Sequence, residues 1–388
     1  MPQSESGGPH VSGWDVVGQV QQRGVRGKRG EDPSQDAGGG ILGTKIRKQR
    51  DPRSGHSSWG IVMVESVFVD SQAGSKPIGV LAAFATGFDR VAARPLLIIP
   101  PLLIDLLLWF GPHFRTAGIF GWVQDQALRA SGLAGEQAAL VRESIRSLSE
   151  RFNLLSSLST LPFGVPSLMA GRMPVLNPLG QANPLEVAQP GLALLLWLSL
   201  SALGLAFGAY YQHWIAQAIA SEAELGSTWK AAIRMVGFGF VLFIGAIATA
   251  TSVGLAFGVA SLILPLFGVG VLYLGLILMF WLAVYLAFTP HGIVRYNLGV
   301  VRAMLESIVL VRWNLLSTVG FLLLGFGAYW LMGLIWALPA ESSWFSMLAM
   351  IGHGFVSTTL VAGSYAYYQG RREWLEQARA LRSRPPTA

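Results

Sequence analysis

Asp105 is the only acidic residue inside any of the long apolar segments of this chain. A charge at the centre of a membrane-spanning helix costs roughly 2.5–3.5 kcal/mol unless it is paired or protonated. Two chemistries follow. One is coupling to a proton or ion within the membrane. The other is a hydrogen bond to loop backbone at the outer interface, where a short first span would place the side chain. His353 lies between Gly352 and Gly354 in the last apolar segment, which runs the opposite way. Counted inward from the outer ends of the two segments, it reaches the depth of Asp105. Asp105 and His353 are therefore the candidate intramembrane polar pair, joined by a hydrogen bond or an ion pair. His213 and His291 fall near the other ends of their segments, where an imidazole reaches water.

Other chemistries lack their residues. Without cysteine there is no disulfide, no thiolate nucleophile and no Cys-based zinc or iron–sulfur site. No HExxH motif, second intramembrane Asp or G-x-S-G context is present for intramembrane proteolysis, and the glycines form neither a phosphate loop nor a dinucleotide fingerprint. Asp125, Glu136, Glu143, Glu150 and Glu186 lie outside the apolar segments, and three of them share one helix with neighbouring arginines, the pattern of surface ion pairing. The expectation is a non-enzyme with no catalytic, cofactor-binding or metal-ligating residues.

The elements that would hold Asp105 and His353 are membrane spans. Only 13% of the 388 residues are charged and 52% are hydrophobic, well away from the soluble norm of about 25% charged. The 13 Trp and 9 Tyr suit a membrane interface or a bundle interior. About 20 apolar residues cross a hydrocarbon core of roughly 30 Å. Uncharged gaps at Val187–Ser221, Trp313–Ala340 and Ser342–Gly370 each fit one span, and Met235–Val294 fits a hairpin turning near Gly258–Pro265. Pro95–Gly111 is the sixth span, opened by Pro95 and bent or unwound by Pro100 and Pro101.

Charge sets the expected orientation. Arg90, Arg94, Lys230, Arg234, Arg295, Arg302, Arg312 and the arginines from Arg371 onward fall on one side, whereas the short connections opposite carry Glu341 or nothing charged. By the positive-inside bias both termini are cytoplasmic. The formal charge of +7 is thus topogenic, with the lipid bilayer as partner and no nucleic acid.

Residues 1–75 form a basic, Gly- and Ser-rich tail expected to be disordered, with Met63 as an alternative start, and residues 371–388 form a basic cytoplasmic tail. Residues 112–188 make an external segment. Its helix carries Val141, Ile145, Leu148, Phe152 and Leu155 as one apolar stripe, followed by a proline-rich irregular cap over the bundle. GLAFG occurs at Gly204–Gly208 and again at Gly254–Gly258; each places two glycines on one helix face, for close packing or for homo- or hetero-oligomer contact.

Amphipathic stretches lead into spans three times, at Leu81–Arg94, Ser227–Arg234 and Leu298–Arg312. On the A-I-R pattern at Ala232–Arg234 and the S-I-x-L-V-R-x-N pattern at Ser307–Asn314, residues 78–370 resemble a group of bacterial membrane proteins. The group includes the membrane domain fused to some glycerophosphodiester phosphodiesterases. The resemblance implies a multi-pass scaffold in a bacterial plasma membrane, without phosphodiesterase activity, because none of the six histidines is followed by Arg. The reading is an all-α integral membrane bundle of about six transmembrane helices, with interfacial amphipathic helices and an external helical and irregular segment. Its expected role is non-enzymatic: scaffold, accessory or envelope maintenance. The alternative is a small-molecule or lipid transporter, for which Pro100, Pro101, Pro265 and Gly268–Gly275 would supply broken helices.

Overall fold

The computed structural model describes residues 77–131, 135–160, 162–181, 184–219 and 226–382. The expected tail over 1–75, Met63 included, and residues 383–388 lie outside them. Helix α1 (Val80–Ala93) ends at Arg94, which leaves helical geometry. A 3₁₀ turn (Pro95–Ile98) then enters α2 (Ile99–Phe110), bent from α1 by 101°. Pro95 opens this segment as expected. Pro100 sits in the first turn of α2, where its missing N–H has no intrahelical partner to lose, so the local unwinding is confined to the 3₁₀ turn ahead of it.

The segment expected to be external follows as short strand β1 (His113–Arg115), helices α3 (Ala117–Ser131) and α4 (Gly135–Arg151), and a 3₁₀ turn (Leu154–Leu158). It ends with α5 (Leu168–Arg172) and strands β2 (Leu176–Asn177), β3 (Gly180–Gln181) and β4 (Pro184–Glu186). The strands, absent from the sequence reading, pair β1 with β4 in parallel and β2 with β3 antiparallel.

The remaining helices are α6 (Pro190–Ile219), α7 (Thr228–Ile263), α8 (Pro265–Leu286), α9 (Thr289–Tyr296), α10 (Val300–Trp313), α11 (Leu315–Trp336) and α12 (Phe345–Arg382). Five stretches are long and apolar enough to cross a membrane: α6, α7, α8 with α9, α11 and α12; α1 with α2 makes a sixth if the bent pair is one span. The chain is an all-α membrane bundle, as the uncharged gaps required. The α7–α8 hairpin turns at Leu264, whose backbone is extended, with Pro265 starting α8. Ser227–Arg234 is not a separate amphipathic helix: no proline or extended residue interrupts it, and α7 runs straight through. By contrast, α1 is cut by Pro95 and α10 by Asn314. Nor do residues 371–382 form a separate tail, because α12 continues through them.

The core joins the first and last described helices. Val91 of α1, Ile215 of α6, Met235 and Phe238 of α7, Ile293 of α9 and Tyr365 of α12 share one buried cluster. Where α1 crosses α12, glycine faces glycine: a Cβ on Gly87 would lie 2.5 Å from the backbone N of Gly363 and from the carbonyl O of Thr359. Gly87→Ala is expected to cost about 1–3 kcal/mol by overpacking. Gly320→Ala on α11, where a Cβ meets nothing within 4 Å, should instead leave stability unchanged or raise it, as Ala is the better helix former. Thermal unfolding of both variants in detergent compares the same added methyl at a closed and an open site.

The two GLAFG motifs have different fates. Side chains on Gly204 and Gly208 would run into the backbone of Leu158 and of Gly164, so that face is filled by the chain's own external segment and is not a free oligomer surface. Gly254 and Gly258 face open space.

Candidate functional site

Asp105 lies on the last turns of α2 and is fully buried. Its Oδ1 accepts a hydrogen bond from Ser167 Oγ at 2.5 Å and another from the backbone N–H of Met169 at 2.9 Å. Ser167 is the N-cap of α5, its Oγ accepting from Ala170 N at 3.0 Å. The free N–H groups of a helix's first turn need acceptors and favour negative charge. The carboxylate of α2 therefore completes the cap of a short helix folded back from the external segment. Around this joint, Leu108, Trp109, Leu155, Leu158, Leu168, Met169 and Met350 exclude water, and hydrogen bonds are stronger in such low-dielectric surroundings. Asp105 thus bonds a backbone N–H and a side-chain hydroxyl of the segment that follows α2, and it does not meet water.

His353 is also buried, with its ring edge-on to Tyr329 at 5.3 Å. A Cβ on the adjacent Gly354 would approach Pro101 and Ile98, while Met350 clusters with Leu108 and Trp109. Residues 350–354 thus run antiparallel to 98–109, which lays His353 alongside the helix that carries Asp105. The expected bond between them is not formed. Ser167 and Met169 take Oδ1, and neither Asp105 Oδ2 nor His353 Nδ1 has a hydrogen-bond partner among the described residues.

His213 and His291 do not reach water as expected; both are buried. His291 lies against Tyr365 at 4.4 Å, with Phe288 and Tyr368 nearby, and its Nε2 is 2.7 Å from Ser364 Oγ. Because the Ser364 hydroxyl donates to Val361 O, Nε2 carries the hydrogen of the shared bond. Among the described residues no group of three or more His, Asp or Glu side chains is placed to hold a metal ion.

A second joint fixes the external segment to the α11–α12 turn through Glu341. Its Oε1 accepts from Arg151 at 2.8 Å, its Oε2 from Val175 N at 3.1 Å, and its carbonyl from the Trp109 indole at 3.0 Å. Arg172 adds a bond to Pro339 O at 2.7 Å. Asn153 ties the first turns of the segment together: its side-chain oxygen accepts from Phe114 N and Leu155 N. His113, bonded to Arg151 O, has its imidazole pKa lowered by burial and by nearby Arg115. The expected apolar stripe is not carried by one helix: α4 ends at Arg151, beyond which Phe152 packs edge-on against Phe120 and Leu155 enters the core, while Leu148 on α4 remains exposed.

Arg151 is half exposed, so its ion pair adds little; the backbone bond from Val175 is the larger part. Glu341→Ala is expected to cost about 1–2 kcal/mol. Faster limited proteolysis of residues 112–188, with no change in the fragments from α7 onward, would show the loss.

The opposite end of the bundle holds groups that the sequence reading placed in a tail. Arg371 is buried: its guanidinium donates to Asn314 Oδ1 at 3.1 Å, Ser317 Oγ at 2.8 Å and Ile78 O at 3.3 Å, and lies 4.9 Å from the Tyr367 ring centre. Arg372 pairs with Glu306 at 2.8 Å and covers the Tyr296 ring at 3.6 Å. The signal for Arg371 was present in the sequence. Tyr367, Tyr368, Arg371 and Leu375 recur at intervals of three and four, continuing the buried face of α12 past the last apolar gap. In comparisons with protein-family models, curated proteins and solved structures, no match to this chain was found.

Proposed function

We propose that this chain is a non-enzymatic multi-pass membrane protein acting as a scaffold or accessory component of a bacterial plasma membrane, in envelope maintenance. The observation that carries this reading is the placement of Asp105. The one acidic group in the apolar segments takes its hydrogen bonds from Ser167 and Met169, holding the external segment onto the bundle. Glu341 does the same from the α11–α12 turn. The charged groups inside or beside the spans thus serve to hold a rigid outer platform. The open face at Gly254 and Gly258 offers a partner surface within the bilayer. Both termini are placed in the cytoplasm by the charge bias; a reporter fused after Gly135 should read external and one after Arg371 cytoplasmic.

Transport of a small molecule or lipid is the second reading, favoured by one observation: Asp105 Oδ2 and His353 Nδ1, both buried, are without hydrogen bonds among the described residues. Asp105→Asn separates the two readings. Asn keeps an oxygen for Ser167 and Met169 but cannot carry a charge. In a strain lacking the gene, under envelope stress, the scaffold reading expects Asp105→Asn to restore growth to the wild-type level. Failure of a normally folded Asp105→Asn protein to do so would favour the transporter.

A further inference from the structure

A basic cavity of about 170 Å³ opens between α10 and the extension of α12 beyond the apolar segment, lined by Arg302, Glu306, Leu310, Arg372, Leu375 and Arg379, with Glu376 at its edge. Its acids already have partners. Glu306 pairs with Arg372 and accepts from the Tyr368 hydroxyl at 2.6 Å, and Glu376 lies 3.3 Å from Arg372. Arg302 and Arg379 are exposed and have neither an ion pair nor a hydrogen bond within the described residues. Three arginines against two glutamates leave one positive charge, equal and opposite to that of a single phosphodiester.

The flank of the cavity indicates what carries that phosphate. On α10, Ala303, Ser307 and Leu310 face the protein. Val301, Leu305 and Ile308, at intervals of four and three, form an apolar stripe that is exposed at 70%, 58% and 37%. Successive residues of an α-helix are turned by about 100°, so Arg302 and Glu306 lie between this stripe and the buried face. An exposed apolar stripe bordered by arginine, on a helix leading straight into span α11, is the arrangement of a helix lying in a membrane interface.

We propose that Arg302 and Arg379 bind the phosphate of an anionic phospholipid, its acyl chains lying along Val301, Leu305 and Ile308. A free phosphate would use the arginines alone; a stripe that lies against acyl chains beside them makes a lipid headgroup the phosphate within reach.

The test is native mass spectrometry of the purified full-length protein, exchanged into equal mixtures of phosphatidylglycerol and phosphatidylcholine. The expected result is retained phosphatidylglycerol in several-fold excess. The pair Arg302→Gln and Arg379→Gln should lower that retention roughly tenfold at unchanged gel-filtration behaviour. The pair Arg90→Gln and Arg94→Gln, which removes the same charge from the end of α1, should leave it as in the wild type. Equal retention of the two lipids overturns the proposal on the wild-type protein alone, whatever the variants do. Equal losses from the two arginine pairs would reduce the effect to general surface charge and overturn it. So would complete displacement of the lipid by millimolar inorganic phosphate, which would make a soluble anion the ligand.

Discussion

Asp105→Ala is expected to detach the external segment from the bundle and to destabilise the protein by about 2–6 kcal/mol. The substitution removes the acceptor of two buried donors, Ser167 Oγ and Met169 N. An unpaired buried donor costs about 1–3 kcal/mol. Neither donor can turn to water, since Leu108, Leu155, Leu168 and Met350 close around the joint. Asp105→Asn keeps one oxygen in place and loses only the charge, so a cost nearer 1 kcal/mol is expected. Thermal unfolding in detergent gives the ordering, and limited proteolysis locates it: α5 should become the first cleavage site in the alanine variant. Equal melting of the alanine variant and the wild type would show that the joint carries no stability, removing the observation on which the scaffold reading stands.

Arg371→Ala is the second large effect, expected at about 2–4 kcal/mol, because it removes the charged donor of three hydrogen bonds to neutral acceptors and leaves the buried Asn314 amide oxygen unpaired. Its guanidinium connects three elements: Ile78 just before α1, Asn314 and Ser317 where α10 breaks into α11, and the face of Tyr367 on α12. Lysine keeps the charge but not the planar fork that reaches all three acceptors, so Arg371→Lys should fall between alanine and wild type. Denaturant unfolding measures the order. If lysine matched arginine, charge alone would be at work and the fork geometry would be irrelevant.

The spans were legible because lipid imposes a severe rule: a charge inside them must be justified, so uncharged gaps map onto helices directly. The hairpin turn at Leu264 was legible for the same reason, with Pro265 as its marker. Asp105 could be picked out by its rarity, but its partners could not. Ser167 lies 62 residues away, in a proline-rich stretch where no helical or strand periodicity sets direction. The GLAFG pair shows another limit. Two identical motifs carry the same packing capacity, and only the arrival of residues 158–164 fills one and leaves the other open. Arg371 was overlooked because an arginine just past a span is ordinarily a topology signal in water, although its spacing of four from Tyr367 and from Leu375 continues the buried face of α12.

The contact of α1 with α12 bears on the order in which the molecule is made. Ile78 and Arg371 meet across 293 residues, and the glycine crossing at Gly87 and Gly363 is almost as distant in sequence. Chains emerge from their N-terminal end during synthesis, and contacts between distant segments form slowly because the intervening loop must first be closed. Helix α1 must therefore keep its close-packing face uncovered until α12 has been translated. Assembly has a built-in final step, and a nascent chain stalled before α12 would still display the glycine face of α1 to whatever chaperone or protease surveys the bilayer.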